Sequence, residues 1–184
     1  MDFIEHMQLL FNDCKSFFNK IRLEPWSVAY QYSVAVGLAL GIVGVLSQGH
    51  IALVLVPFAP LLVLLVLLSP FLNSILPHLG AMLFGKSDYW KTFKPIVYGR
   101  LVGVWYLLLL VPLMILMRIS NNSVVFWTFL LVAAATTIHT LYAQVEGMHQ
   151  YQGLSYTQSV LAVLVLPLLI ALVVGIVVAL NMAS

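Results

Sequence analysis

The sequence predicts an all-α integral membrane protein: five transmembrane helices preceded by an amphipathic interfacial helix. Three observations predict it. Hydrophobic residues make up 62% of the 184 positions and charged residues only 8%, against about 25% charged in ordinary soluble domains. Too little polar surface is left to cover a water-soluble globule. The apolar residues fall in long runs almost free of charge, as in helices that cross hydrocarbon. The charges lie between those runs: Lys86, Lys91, Lys94 and Arg100, four of the eight Lys and Arg residues, crowd into the polar interruption from Gly85 to Arg100. A basic loop between spans is held on the cytoplasmic side during insertion, so this stretch sets which way round the chain lies.

Residues 1–25 read as the interfacial helix. Phe3, Ile4, Met7, Leu10, Phe11, Cys14, Phe17, Phe18 and Ile21 recur at helical spacing on one face. Asp2, Glu5, Gln8, Asn12, Asp13, Lys15, Asn19 and Lys20 take the other. Such a helix lies along the membrane interface, with its Phe residues meeting lipid or docking under a bundle. Pro25 ends it, and Trp26 and Tyr30 suit headgroup depth. The early acids Asp2, Glu5 and Asp13, with no small-residue cleavage site after a short apolar run, do not fit a secretory leader.

Residues 26–184 form one five-helix membrane domain in this reading. The first span covers residues 27–47, and its Gly37, Gly41 and Gly44 form a small-residue ridge. That ridge lets a second helix approach closely, within the chain or in a homodimer. Residues 51–56 read as a loop or dipping segment. The second span covers residues 58–79, kinked at Pro70, because residues 51–84 exceed the roughly 20 residues one span needs. The third covers residues 101–117, the fourth 124–143 and the fifth 160–180, with a polar connection over 144–157. Under this layout Lys15, Lys20, Arg22, Lys86, Lys91, Lys94 and Arg100 share one side and only Arg118 takes the other. A cytoplasmic N-terminus and an outside C-terminus follow.

The chemistry-bearing residues are few. In the fourth span Thr136, Thr140 and Gln144 recur every fourth residue, with His139 beside them and Glu146 further along. Polar groups at membrane depth face the bundle interior. They either line a polar passage, with His139 titrating and Glu146 at its mouth, or bond between helices and to their own backbone. In the basic loop Tyr89, Trp90 and Phe93 interleave with the lysines, which suits contact with anionic headgroups as well as orientation alone. Cys14 is the one cysteine, so no intramolecular disulfide forms. It reads as a small apolar packing residue, or as a lipidated juxtamembrane thiol. His78, His139, Glu146 and His149 lack metal-ligand spacing. No catalytic residue, metal or cofactor is expected. A net charge of +2 gives no case for nucleic acid; the expected partners are the lipid bilayer, other membrane proteins or further copies of the chain.

His78, the short glycine-containing loop from Leu79-Gly80 to Gly85, then Thr92, Pro95 and Tyr98 leading into the third span and Pro112, resemble the Yip-domain family. So does Tyr151-Gln152-Gly153-Leu154-Ser155 before Ser159 and Pro167, as do Glu24-Pro25 and the amphipathic N-terminal segment. The resemblance covers roughly residues 10–180. It implies five membrane helices, a cytoplasmic N-terminus and self- or hetero-association in the membrane. Eukaryotic members bind small GTPases of vesicle transport and carry a cytoplasmic Asp-Leu-Tyr-Gly-Pro motif. That motif does not occur here, so GTPase binding is not implied. The short chain is similar to bacterial members, and a multi-pass protein of the cytoplasmic (inner) membrane is expected. Its role would be non-enzymatic, in membrane organisation or protein association. The alternative is a small transporter or channel subunit using the polar face of the fourth span.

Overall fold

The computed structural model describes residues 3–46, 59–120, 122–170, 172–173 and 176. Among them every regular element is helical. In chain order these are α1 (Phe3–Asn12), α2 (Cys14–Lys20), α3 (Trp26–Leu46), α4 (Ala59–Met82), α5 (Tyr89–Ile119), α6 (Ser123–Gln152) and α7 (Tyr156–Ile170). The expected loop over residues 51–56, the surroundings of Gly44 and the last turns of the fifth span lie outside the described residues. Among the described residues three helices are long and apolar enough to cross a membrane: α4, α5 and α6. α7 is a shorter apolar helix, and α3 runs for 21 residues without a charge.

The N-terminal segment is two helices rather than one. Asp13 leaves helical geometry, and its carboxylate accepts from Ser16 N–H at 3.0 Å and from Ser16 Oγ at 2.6 Å. An Asp that caps a new helix must break the old one. The two helices fold back on each other, with Lys20 on α2 paired to Glu5 on α1 at 2.9 Å. The predicted apolar face is real, but protein covers it. Leu10, Cys14, Phe17, Phe18 and Ile21 are fully buried against α5 and α6.

The Gly85–Arg100 stretch is mostly helix, which corrects the expected loop and a third span starting at residue 101. Asp88 caps α5, accepting from the N–H groups of Trp90 and Lys91 at 3.1 and 3.4 Å. Only Gly85, at φ 75°, and the residues up to Asp88 turn the chain. Similarly, the expected polar connection over 144–157 is helical as far as Gln152. Gly153 ends α6 in the left-handed conformation at φ 64°, which glycine adopts without strain. A capping box between Ser155 and Gln158 then starts α7 four residues before the expected residue 160. Within α7, Leu161–Val165 widens to a π-turn just ahead of Pro167, whose missing N–H disfavours a regular turn there. That turn meets α4, where a Cβ on Gly80 would stand 2.6 Å from the Ala162 Cα.

α5 and α6 form the antiparallel centre of the molecule. Glycine lets them meet: a Cβ on Gly99 would overlap the Gln144 side chain, and one on Gly147 would run into Pro95 and the Phe18 ring. Their lengths, 31 and 30 residues, correspond to about 45 Å each at 1.5 Å per residue. A bilayer core is about 30 Å thick. The burial pattern divides the excess unevenly. Thr92 to Gly99 on α5, and Ala143, Gln144 and Glu146 to Met148 on α6, are buried in protein. Beyond them Leu108, Leu109, Met114 and Ile115, with Trp127, Leu131 and Ile138, are exposed. One end of the pair is thus a packed protein layer, the cap, and the other presents apolar side chains outward.

Candidate functional site

The cap brings together chain segments far apart in sequence. Lys94, in the second turn of α5, points away from solvent and is 5% exposed. Its ammonium donates to the carbonyls of Ile21 at 3.0 Å, Arg22 at 3.4 Å and Glu24, and stands 4.9 Å from the Tyr151 ring centroid. An ammonium has three donors, and three carbonyls just past the C-terminus of α2 meet them. A cation at a helix C-terminus also opposes the negative end of the helix dipole. The Glu24 carboxylate, one residue before Pro25, accepts from Tyr98 OH at 3.0 Å and His6 Nε2 at 2.8 Å. These contacts fasten the α1–α2 hairpin and its linker to α5.

A second cluster closes the same end. Gln152 donates to Thr92 Oγ1 and to the Asp88 carbonyl, both at 2.7 Å, while Thr92 Oγ1 lies 3.2 Å from His78 Nδ1. Tyr89 OH donates to the Phe71 carbonyl at 2.9 Å. Trp26 stacks on Trp90 with centroids 4.2 Å apart, and Phe71 and Phe93 flank the pair. Of the residues that carry the family resemblance, His78, Gly80, Thr92, Pro95, Tyr98 and Gln152 thus share one packed layer.

The expected polar face of α6 bonds to its own backbone and to neighbouring helices, as the second of its two readings has it. Thr136 donates to its own backbone at Val132 O, 2.7 Å. His139 is 3.2 Å from Tyr106 OH and lies against Phe11 of α1, with ring centroids 4.8 Å apart. Thr140 is half-buried. Gln144 donates to the Ile96 carbonyl at 3.3 Å. Glu146 is buried rather than at a mouth, and its carboxylate accepts from Gln150 Nε2 at 2.7 Å and Tyr156 OH at 2.8 Å. α5 and the N-terminal hairpin fill the groove that this face would line.

The basic set is corrected in the same way. Lys91 and Arg100 are exposed and Lys86 is half-buried, but Lys94 faces the protein and not lipid. Of the glycine ridge, Gly37 meets Val66 of α4, where a Cβ would stand 2.8 Å from Cγ1. Gly41 has open space. Among the described glycines, Gly80, Gly99 and Gly147 leave still less room than Gly37. Cys14 is buried, and its thiol donates to the Leu10 carbonyl at 3.0 Å. Burial pushes that thiol up to about 11, so it is a packing residue with little thiolate character. Among the described residues no three His, Cys, Asp or Glu side chains converge as metal ligands.

A helical bundle whose long helices expose apolar side chains, closed at one end by a packed polar layer, is a multi-pass membrane protein. The chain matches the Yip1 domain model over residues 7–179, and it belongs to that family. No curated protein and no solved structure matches it.

Proposed function

We propose that this chain acts without catalysis, organising the membrane around it and associating with other membrane proteins or with further copies of itself through helix packing. One observation carries the reading. Most polar side chains of the cap bond to one another or to the backbone within it, while α4, α5 and α6 keep apolar faces outward. Exposed faces of that kind meet lipid or neighbouring helices, where dispersion and close packing drive association. The proposed setting is a cytoplasmic (inner) membrane of bacterial type. Five spans cross it, with the N-terminus and cap in the cytoplasm and the C-terminus outside. The gathering of Lys15, Lys20, Arg22, Lys86, Lys91, Lys94 and Arg100 at the cap end, with Arg118 at the other end of α5, supports that orientation.

A photo-crosslinker placed at Leu72 on α4 and at Leu131 on α6 tests this in native membranes. Discrete protein adducts are expected from at least one position. Reporter fusions should read as cytoplasmic after Lys91 and as outside after Asn122 and Ser184. The competing transport reading makes the opposite demand. If His139→Ala or Glu146→Gln abolished solute or ion flux into liposomes with the fold intact, association would no longer be the primary role.

A further inference from the structure

Arg100 breaks the burial pattern of α5. From Thr92 to Leu107 every other residue of that helix is buried or half-buried, and Arg100 alone is exposed. It lies on the line Tyr89, Phe93, Ile96 and Arg100, whose spacings of four, three and four mark one side of a helix. The N-terminal hairpin and its linker are met from another side, by Lys94, Tyr98 and Trp105. One turn nearer the cap, Ile96 is buried with Ala81, Met148, Leu154 and Ala162. That packing stops short of Arg100, so the guanidinium stands at an opening just beyond the cap.

Among the described residues no acid neutralises it. Glu5 pairs with Lys20, Glu24 with His6 and Tyr98, and Glu146 with Gln150 and Tyr156. Asp88 holds Lys91 and the amides that open α5, and Asp13 caps α2. Arg100 has no hydrogen bond and no ion pair among these residues. Its five donors, in a planar fork, are free for an outside anion, and a phosphate fits that fork bidentately.

The height of Arg100 selects the anion. From Arg100 to Ser120, the residue that ends α5, is about 30 Å at 1.5 Å per residue, the thickness of an ordinary hydrocarbon core. Arg100 thus stands at the boundary where lipid phosphates lie. The same side of α5 continues outward through Val104, Leu107, Val111 and Met114, again at spacings of four and three. Val104 and Leu107 are half-buried, and Val111 and Met114 are exposed. Arg100 to Val111 is about 16 Å, close to one leaflet, half of a core of about 30 Å.

We propose that Arg100 seats one anionic phospholipid of the cytoplasmic leaflet, its phosphate on the guanidinium and an acyl chain along Val104, Leu107 and Val111. Phosphatidylglycerol leaves its phosphate charge to Arg100, whereas the choline of phosphatidylcholine already offsets that charge. The seat is a single site. It differs from the diffuse attraction that Lys86 and Lys91 exert from the turn before α5 and from its first turn. It deepens the membrane-organisation reading and rests on it.

Native mass spectrometry of the purified protein in mild detergent, given equal amounts of phosphatidylglycerol and phosphatidylcholine, tests the seat. The parent should keep one phosphatidylglycerol per chain in preference to phosphatidylcholine. Arg100→Gln should hold it about tenfold less tightly, the scale of one charged hydrogen bond. Lys86→Gln combined with Lys91→Gln should keep it. Equal retention by Arg100→Gln would overturn the proposal, and so would an equal loss in the double lysine variant, which would mean diffuse attraction. Inorganic phosphate separates the two sources of the anion. If millimolar phosphate displaced the lipid from the parent, the site would take a free anion and the lipid seat would fall. A thermal melt guards against misfolding. Without lipid, Arg100→Gln should melt with the parent, since Arg100 has no partner to lose, and phosphatidylglycerol should raise only the parent's midpoint. A lower midpoint in lipid-free Arg100→Gln would show a partner within the chain and would also overturn the seat. Partner crosslinks at Leu72 and Leu131 do not depend on Arg100, so loss of the seat would leave the association reading standing.

Discussion

α5 and α6 each pass through two environments, and the contrast shows what specifies this fold. At the cap, Lys94, Tyr98, Gly99, Gln144 and Gly147 each meet particular partners. A few turns further along the same helices, Leu108, Leu109, Leu131 and Ile138 are exposed. Any apolar residue would serve there, because lipid tails are as apolar as leucine. The cap fixes position and register, and the outward layer supplies only hydropathy.

The largest effects should follow from two cap substitutions, Lys94→Ala and Phe18→Ala. Lys94→Ala leaves three carbonyls and the Glu24 carboxylate without their cation. Removing one partner of a charged buried set costs about 3 kcal/mol. Phe18→Ala should cost about 3–5 kcal/mol, since a fully buried ring is lost. Both should lower the thermal midpoint in detergent and expose the N-terminal hairpin to protease. Leu109→Ala, on the outward layer, should change stability by no more than about 0.5 kcal/mol. A similar loss at Leu109 would break the contrast between the layers.

Glycine replacements sharpen it next. Gly147→Val forces a branched side chain into Pro95 and the Phe18 ring, and overpacking of this kind costs about 1–3 kcal/mol. A Cβ at Gly41 meets nothing within 4 Å, so Gly41→Val should be close to neutral in the same melt. A large penalty at Gly41 would mean that a neighbour covers it in the membrane.

These two tests also mark where the sequence was legible. The amphipathic face of residues 3–21 and the long apolar helices follow from spacing and hydropathy, which are local signals. Asp88 and Ser155 announce helix starts by the same local chemistry, yet the density of lysines before Arg100 masked the first of them. That reading treated Lys94 as lipid-facing. Its partners at residues 21–24 lie some seventy positions away, and no spacing rule reaches that far. Gly99 and Gly103 are four apart, as are Gly37 and Gly41. The signal was present at both sites, and it counted for less in a stretch read as a loop. The two readings of the fourth-span polar face stayed open for another reason. Periodicity shows that Thr136, His139, Thr140 and Gln144 share a side. It does not show that Tyr106, Phe11 and the Ile96 carbonyl occupy the space in front of it.

Cys14 provides a gentler probe of the cap. Its thiol, held at about 11 against an ordinary 9.0, prefers the protonated form in the folded protein. The folded state therefore binds the proton more tightly than the unfolded one. The stability this contributes is whole below about pH 9 and is lost as pH rises towards 11. At pH 7.5 a water-soluble maleimide should label Cys14 far more slowly in the folded protein than in dodecyl sulfate. Rapid labelling of the folded form would show that the hairpin is not seated on α5 and α6.

The smallest effect belongs to the exposed hairpin tip. Asp13 holds its carboxyl below the usual value by accepting from the side chain and then the backbone of Ser16. A carboxylate favoured in the folded state adds stability above its unfolded value near 3.8, and that stability is lost as pH falls through the lower folded value. Because Asp13 is fully exposed, solvent screens the gain. Acid should therefore fray only the start of α2, with the rest of the cap unchanged. Hydrogen exchange at the Ser16 amide reports it directly: protection should drop below pH 4 in the parent protein. In Asp13→Ala it should be low at every pH. If Ser16 exchanged alike in both proteins, the break between α1 and α2 would have to come from packing rather than from this cap.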